Sequence, residues 1–186
     1  MRKIVHLAWA GLLCSGTAMA QDTSPDGSKA FGIEPYFAVL GGYHEFDSDE
    51  KGKLTTGCTT PSGCPDGGLV EGIVGVNIPL GAFFVGAEGN VAKGFNGIRS
   101  EYGGYGRFGL RAGESGLIYG KVGYQRVNTR ERGADSDMAY GGGVEVGPKM
   151  IGLGGLTRSE GIRLRLDFST FNLRSIRPAA GVVVHF

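Results

Sequence analysis

Along most of the chain, apolar and polar residues alternate with a period of two. In the last such run Ala180, Val182, Val184 and Phe186 share one parity, and Ala179, Gly181, Val183 and His185 share the other. Successive side chains of a strand point to opposite faces, so this period predicts strands with two unlike faces. Eight runs carry it, at about Phe31–Tyr43, Leu69–Ile78, Ala82–Ala92, Glu101–Ala112, Leu117–Arg126, Met138–Val146, Gly161–Thr170 and Arg177–Phe186. Each approaches the roughly nine to eleven residues with which a tilted strand crosses a bilayer. The pattern predicts an all-β fold, an eight-stranded antiparallel up-and-down transmembrane β-barrel.

The connections alternate in character, as they do in barrels with long loops at one end and short turns at the other. Asp47–Gly68, Lys93–Ser100 and Val127–Asp137 read as polar loops, whereas Pro79-Leu80-Gly81 and Gly113-Glu114-Ser115-Gly116 read as tight turns. Two connections depart from that alternation: Gly147–Glu160 is long on the turn side and Asn172–Ile176 is short on the loop side. Met150-Ile151-Gly152-Leu153 is apolar enough to extend a strand.

Charge then separates the two faces. One parity holds Glu34, Glu71, Glu88, Glu145 and Asp167 with Arg107, Arg111, Lys121, Arg163 and Arg165, five charges of each sign. The other holds residues such as Phe37, Val39, Val74, Val85, Val91, Phe108, Leu110, Val122, Leu164, Leu166 and Phe168, and no charge except at a strand end, Arg126. A basic residue facing mid-bilayer lipid costs about 2–4 kcal/mol, so the uncharged parity is the one expected to meet lipid. Tyr43, Tyr102, Tyr124 and Tyr140 fall near its loop-side ends, and Phe31, Phe83 and Phe186 near its turn-side ends, where amphipathic rings suit a headgroup boundary.

Eight strands enclose a space that side chains just fill. Ions there must compensate one another, because an unpaired ion in a narrow interior loses several kcal/mol of solvation. The ten inward charges are therefore expected to form a network with Asn77, Asn90, Tyr119 and Gln125, and to plug the lumen.

The first twenty residues read as a secretory signal: Arg2 and Lys3, an apolar run from Ile4 to Leu13, and Ala18-Met19-Ala20 before Gln21. Cys14 lacks the Leu-small-small approach of a lipidated cysteine. The chain divides into signal peptide 1–20, polar leader 21–30 and barrel 31–186. Without Arg2 and Lys3 the balance is 17 basic to 18 acidic residues, which gives no electrostatic case for nucleic acid. The 36 glycines follow no collagen-like triplet and sit among aromatics and valines, as in tightly curved strands. Cys58 and Cys64, in a Pro/Gly-rich stretch of an exported chain, are expected to form a disulfide that stabilises the loop by about 2 kcal/mol.

Together Phe186 as a terminal aromatic after Val182 and Val184, the strand Tyr119-Gly120-Lys121-Val122-Gly123-Tyr124, and Gly141-Gly142-Gly143-Val144-Glu145 resemble the small eight-stranded outer-membrane barrels that include the OmpA transmembrane domain, OmpX, Ail and the opacity-type surface proteins. The resemblance spans about Phe31 to Phe186 and implies residence in a bacterial outer membrane. It also implies contact with outer-membrane lipid and lipopolysaccharide, and Phe186 as the signal read by the barrel-assembly machinery during insertion.

Other motifs carry less. Gly104-Tyr105-Gly106-Arg107-Phe108-Gly109 spells the dinucleotide pattern but lies inside an alternating run, without the helix that pattern requires. His185 is expected as a hydrogen-bonded lumen residue and His44 as an exposed rim residue, near opposite membrane faces. Asp47-Ser48-Asp49-Glu50 and Arg130-Glu131-Arg132 read as solvated loop charges. No cofactor or metal site is expected. The resulting expectation is a monomeric, non-enzymatic outer-membrane barrel with a structural or surface-interaction role through loops 45–68, 93–100 and 127–137, and with an unidentified surface ligand. The alternatives are a lipid-modifying enzyme using His44, a narrow porin-like channel, and a soluble periplasmic barrel with inside and outside exchanged.

Overall fold

The computed structural model describes residues 32–46, 66–112, 116–130, 133–147 and 161–186. Expectations for the signal peptide, the leader, Phe31, the Cys58–Cys64 pair and Met150–Leu153 fall outside those residues. The eight expected strands are all present: β1 Glu34–Phe46, β2 Gly67–Leu80, β3 Phe83–Gly94, β4 Ile98–Ala112, β5 Gly116–Thr129, β6 Ala134–Val146, β7 Ile162–Phe171 and β8 Ser175–His185. Every strand pairs antiparallel with its sequence neighbours, and β8 closes on β1, giving an up-and-down barrel.

Stepping across the sheet from Glu34 through Asn77, Gly86, Arg107, Lys121, Gly141, Ser169 and Arg177 brings the path back to β1 at His44, ten residues further along. That stagger tilts the strands by roughly 40° to the barrel axis. The eleven-residue stretch from Phe83 to Lys93 on β3 then climbs about 25 Å, the height of a hydrocarbon layer.

Alternation sets the two faces as the sequence predicts. Phe37, Val39, Val74, Val85, Val91, Phe108, Leu110, Val122, Leu164, Leu166 and Phe168 are exposed on the outside, as are Tyr43, Tyr102, Tyr124, Tyr140, Phe83 and Phe186. Inward residues are buried against one another, and glycine makes room for the largest of them. A Cβ on Gly75 would collide with the Tyr36 ring, and one on Gly143 with the Tyr119 hydroxyl. Many glycines in these strands thus serve the space requirements of a narrow cylinder rather than backbone bending.

Strands reach further toward the loop end than the two-residue period indicates. The expected loop 93–100 shrinks to Phe95–Gly97, and the expected loop 127–137 to residues 130–133. Beyond the apolar band the outward face becomes polar and the period fades, yet backbone pairing continues. Phe95 N–H donates to Gly68 O at 2.8 Å, and Arg130 N–H to Gly97 O at 3.0 Å. The short β7–β8 connection is a tight turn, with Asn172 and Leu173 at φ of 52° and 57° and Arg174 N–H donating to Phe171 O. Gly81, at φ 72°, supplies the positive φ in the β2–β3 turn. The Gly104–Gly109 pattern lies in mid-strand β4.

Candidate functional site

The lumen gathers the chemistry of this chain. Seven of the ten inward charges expected from sequence are buried in it outright: Glu71, Glu88, Arg107, Lys121, Glu145, Arg165 and Asp167. Glu34 lies at the edge of burial, and Arg111 and Arg163 are half-buried toward the turn end.

A central mesh joins three cations to three carboxylates. Glu88 receives Arg165 Nη2 at 2.9 Å, Lys121 Nζ at 3.4 Å and Arg107 Nε at 3.5 Å. Asp167 receives Lys121 at 2.8 Å and Arg165 at 2.9 Å, while Glu145 receives Arg107 at 2.9 Å. Tyr119 donates its hydroxyl to Asp167 at 2.7 Å, and Tyr36 donates to Glu88 at 2.8 Å while accepting from Arg107. The Arg107 guanidinium lies 3.9 Å from the centroid of the Tyr119 ring, adding a cation–π contact. Toward the turn end Arg111 Nη2 meets both oxygens of Glu34 at 2.7 Å, and His185 Nε2 meets Glu145 at 2.8 Å. His185 is thus a hydrogen-bonded lumen residue, as expected.

A second cluster occupies the loop half. Arg177 reaches Glu71 at 2.8 Å through Nη2 and Glu101 at 3.1 Å through Nε. Asn90 donates to Glu71 at 2.5 Å, Gln125 donates to Glu101 at 2.8 Å, and Tyr105 donates to Gln125 at 2.6 Å. Asn77, expected in the network, is fully buried but makes no side-chain hydrogen bond among the described residues.

His44 departs from expectation. It is not an exposed rim residue but is completely buried, stacked on Phe46 at 4.1 Å between ring centroids. His44 Nδ1 lies 2.6 Å from Glu101 Oε1, and Nε2 lies 2.9 Å from Ser175 Oγ. A serine, a histidine and a carboxylate in this order have the connectivity of a nucleophile, its base and the group that orients the base. Access is what the arrangement lacks. Phe46, Ile98, Val127 and Phe171 pack together as an apolar cap at this end, and Ser175 is only 4% exposed. The backbone amide of Phe171 donates directly to Ser175 Oγ at 2.8 Å, so it is engaged by the hydroxyl itself.

Glu101, Arg177 and the buried His44 were not among the residues predicted to line the network. Each nevertheless lies on the inward parity of its strand: Glu101 with Arg107, Arg177 with His185, and His44 with Glu34. With Glu101 and Arg177 included, six carboxylates meet six basic side chains, and Asp135 and Asp137, half-buried on the inward parity of β6 toward the loop end, add two more carboxylates.

Among the described residues the outside also carries charge, but only at the loop end. Lys93, Arg99, Arg126 and Arg130 are exposed at the ends of β3, β4 and β5. Among the described residues, the only other fully exposed charged residue is Glu45 on β1. Phe186 is exposed beyond β8, with its N–H donating to Pro35 O at 3.0 Å.

No family model and no curated protein matches the chain. Among solved structures it is similar to the crystal structure of Neisserial surface protein A, at 12% identity over 83% of this chain and 99% of that one, with a TM-score of 0.47. It is likewise similar to Ail, the attachment invasion locus protein of Yersinia pestis, crystallised with the heparin analogue sucrose octasulfate, at 12% identity, 83% and 99% coverage and a TM-score of 0.48. A de novo designed transmembrane β-barrel aligns at 10% identity over 83% of this chain and 96% of the design, with a TM-score of 0.47.

Proposed function

We propose that this chain is an outer-membrane protein that spans the bilayer as a plugged, non-enzymatic cylinder and serves a structural or surface-interaction role. One observation carries the reading: an exposed apolar band surrounds a lumen filled with mutually paired ions. A soluble barrel would invert that arrangement, since water would meet the apolar side chains and the ions would be desolvated with no lipid to justify the exchange. A channel needs a continuous wet path, whereas Arg107, Lys121, Arg165 and Arg177 lie across the lumen held by carboxylates from other strands. Surface contacts in this reading fall to the β1–β2 connection, residues 47–65, and to the loop-side strand ends. The export signal, the Cys58–Cys64 disulfide and recognition of Phe186 during assembly belong to the same reading. Reconstitution into planar bilayers tests it: inserted protein with no steady conductance is expected, and a large ohmic conductance would contradict the plug.

The contact between Ser175, His44 and Glu101 favours a second reading, a hydrolase of ester-linked lipid. In the proposed function this trio is instead part of the loop-side plug, because the apolar cap covers the hydroxyl. A fluorophosphonate that reacts with activated serines discriminates between the two. Failure to label the folded protein in bilayers is expected; stoichiometric labelling at Ser175, lost in His44→Ala, would establish the enzyme.

A further inference from the structure

The loop end of the barrel is not level. β7 ends at Phe171 and β8 begins at Ser175, whereas β5 and β6 continue past them, and the last β6 residue in register with β7 is Ala139, facing Phe171. Residues 134–138 of β6 therefore stand above the β7–β8 turn, paired with β5 on one side and with no strand on the other among the described residues. That stretch presents roughly 17 Å of strand edge.

Such an edge is a template for a further strand, because alternate residues direct both of their backbone groups outward. Which residues do so is fixed by a bond at the turn. Asn172 N–H donates to Met138 O at 2.8 Å, so Met138 and Ser136 point away from β5, while Asp135 and Asp137 pair with it. An incoming strand would need the N–H and C=O of both Ser136 and Met138. All four groups are already engaged. Asp135 Oδ1 accepts from Ser136 N–H at 2.9 Å, and Asp137 Oδ1 from Met138 N–H at 2.7 Å. The Tyr124 hydroxyl donates to Ser136 O at 3.2 Å, and Asn172 occupies Met138 O. Bonds to a carboxylate are roughly twice as strong as neutral ones, so a neutral strand displaces them at a loss. The acids also stand only where the edge is bare: the next three positions of their parity, beside β7, are Ala139, Gly141 and Gly143.

We propose that Asp135 and Asp137, with Tyr124 and Asn172, seal the protruding edge of β6 against a second copy of this chain. Unsealed edges would join head to head, because antiparallel pairing turns the second barrel over. A twofold axis at Ser136 sets that residue opposite its own copy and Ala134 opposite Met138, and each edge then fills the notch above the other's β7–β8 turn. With the edge closed, the loop-side rim engages partners through side chains rather than by strand addition. The inference goes beyond the proposed surface role and needs only the barrel.

Association of folded protein in detergent micelles, measured by sedimentation equilibrium, tests the seal, with folding scored by the heat-dependent shift in gel mobility. Wild type is expected to sediment as one copy. The double variant Asp135→Ala, Asp137→Ala removes both acceptors and should tighten pairing about a hundredfold; Asp135→Asn, Asp137→Asn keeps an oxygen acceptor without charge and should change it less than about threefold. With Cys58 and Cys64 replaced by Ser, adding Ser136→Cys should give an intermolecular disulfide in the Ala variant and none in the Asn variant. An Ala variant that stays monomeric overturns the seal. Association of the Asn variant as tight as that of the Ala variant would assign the effect to charge repulsion and contradict the hydrogen-bonded seal. An Ala variant that fails to fold would make the carboxylates supports of the barrel itself, and wild-type barrels cross-linked through Ser136→Cys would show an open edge; either result contradicts the proposal.

Discussion

The two halves of the lumen solve one problem in different ways. In the centre, Glu88 is reached by Arg107, Lys121 and Arg165, and Asp167 by Lys121 and Arg165, so each of these carboxylates keeps a cation if one is lost. In the loop half, Glu71 and Glu101 share a single arginine among the described residues, Arg177, with neutral donors Asn90 and Gln125 and the ring of His44 completing the cluster. Burying an ion is costly in both places, but the penalty for removing one partner depends on how many others remain. The centre is a redundant mesh, and the loop half hangs on one guanidinium.

Arg177→Met should therefore have the largest effect. It leaves two buried carboxylates without an arginine or lysine partner, an expected loss of about 3–5 kcal/mol, read as a lower urea midpoint of the folded band in vesicles. The mesh can be attacked through space rather than charge. Gly75→Val pushes into the Tyr36 ring that bridges Glu88 and Arg107, and overpacking of that kind should cost about 1–3 kcal/mol by the same assay. Lys121→Met sharpens the contrast, since Glu88 and Asp167 both retain Arg165. A loss of only about 1–2 kcal/mol is expected, and a loss equal to that of Arg177→Met would mean that the mesh is not redundant. Ser175→Ala should matter least, at about 1 kcal/mol, because it removes one hydroxyl partner each from His44 and Phe171 beneath the cap.

Much of this was legible in the sequence because charge on a strand surrounded by alternating apolar residues is decisive. Glu88 between Ala87 and Gly89, or Arg165 between Leu164 and Leu166, can face only one way in a membrane barrel. The clusters themselves were not legible. Which carboxylate meets which cation is fixed by the stagger of the strands, and parity along one strand carries no record of its neighbour's register. That is why Arg107 and Arg165 could be placed inside from sequence, while their meeting with Glu145 and Glu88 could not.

The misplaced residue, His44, shows the other limit. It lies on the inward parity of β1, but the apolar alternation ends at Tyr43, and the strand continues to Phe46 because Phe46 stacks on His44 and packs with Ile98, Val127 and Phe171. The irregularity at Arg99 and Ser100 had the same effect on β4. A strict period of two counted from Arg107 holds as far as Glu101 and fails beyond it, where Arg99 is exposed and Ile98 is buried.

Sidedness is the claim on which the account depends, and spin labels in bilayers test it most directly. With Cys58 and Cys64 replaced by Ser, single cysteines at Val39, Val85, Phe108 and Leu166 would each carry a label read for collision with oxygen and with a water-soluble nickel chelate. All four labels are predicted to favour oxygen strongly, as sites facing hydrocarbon do, while a label at Glu45 favours the chelate. Preferential collision of the four with the chelate would place the apolar band in water and contradict the account.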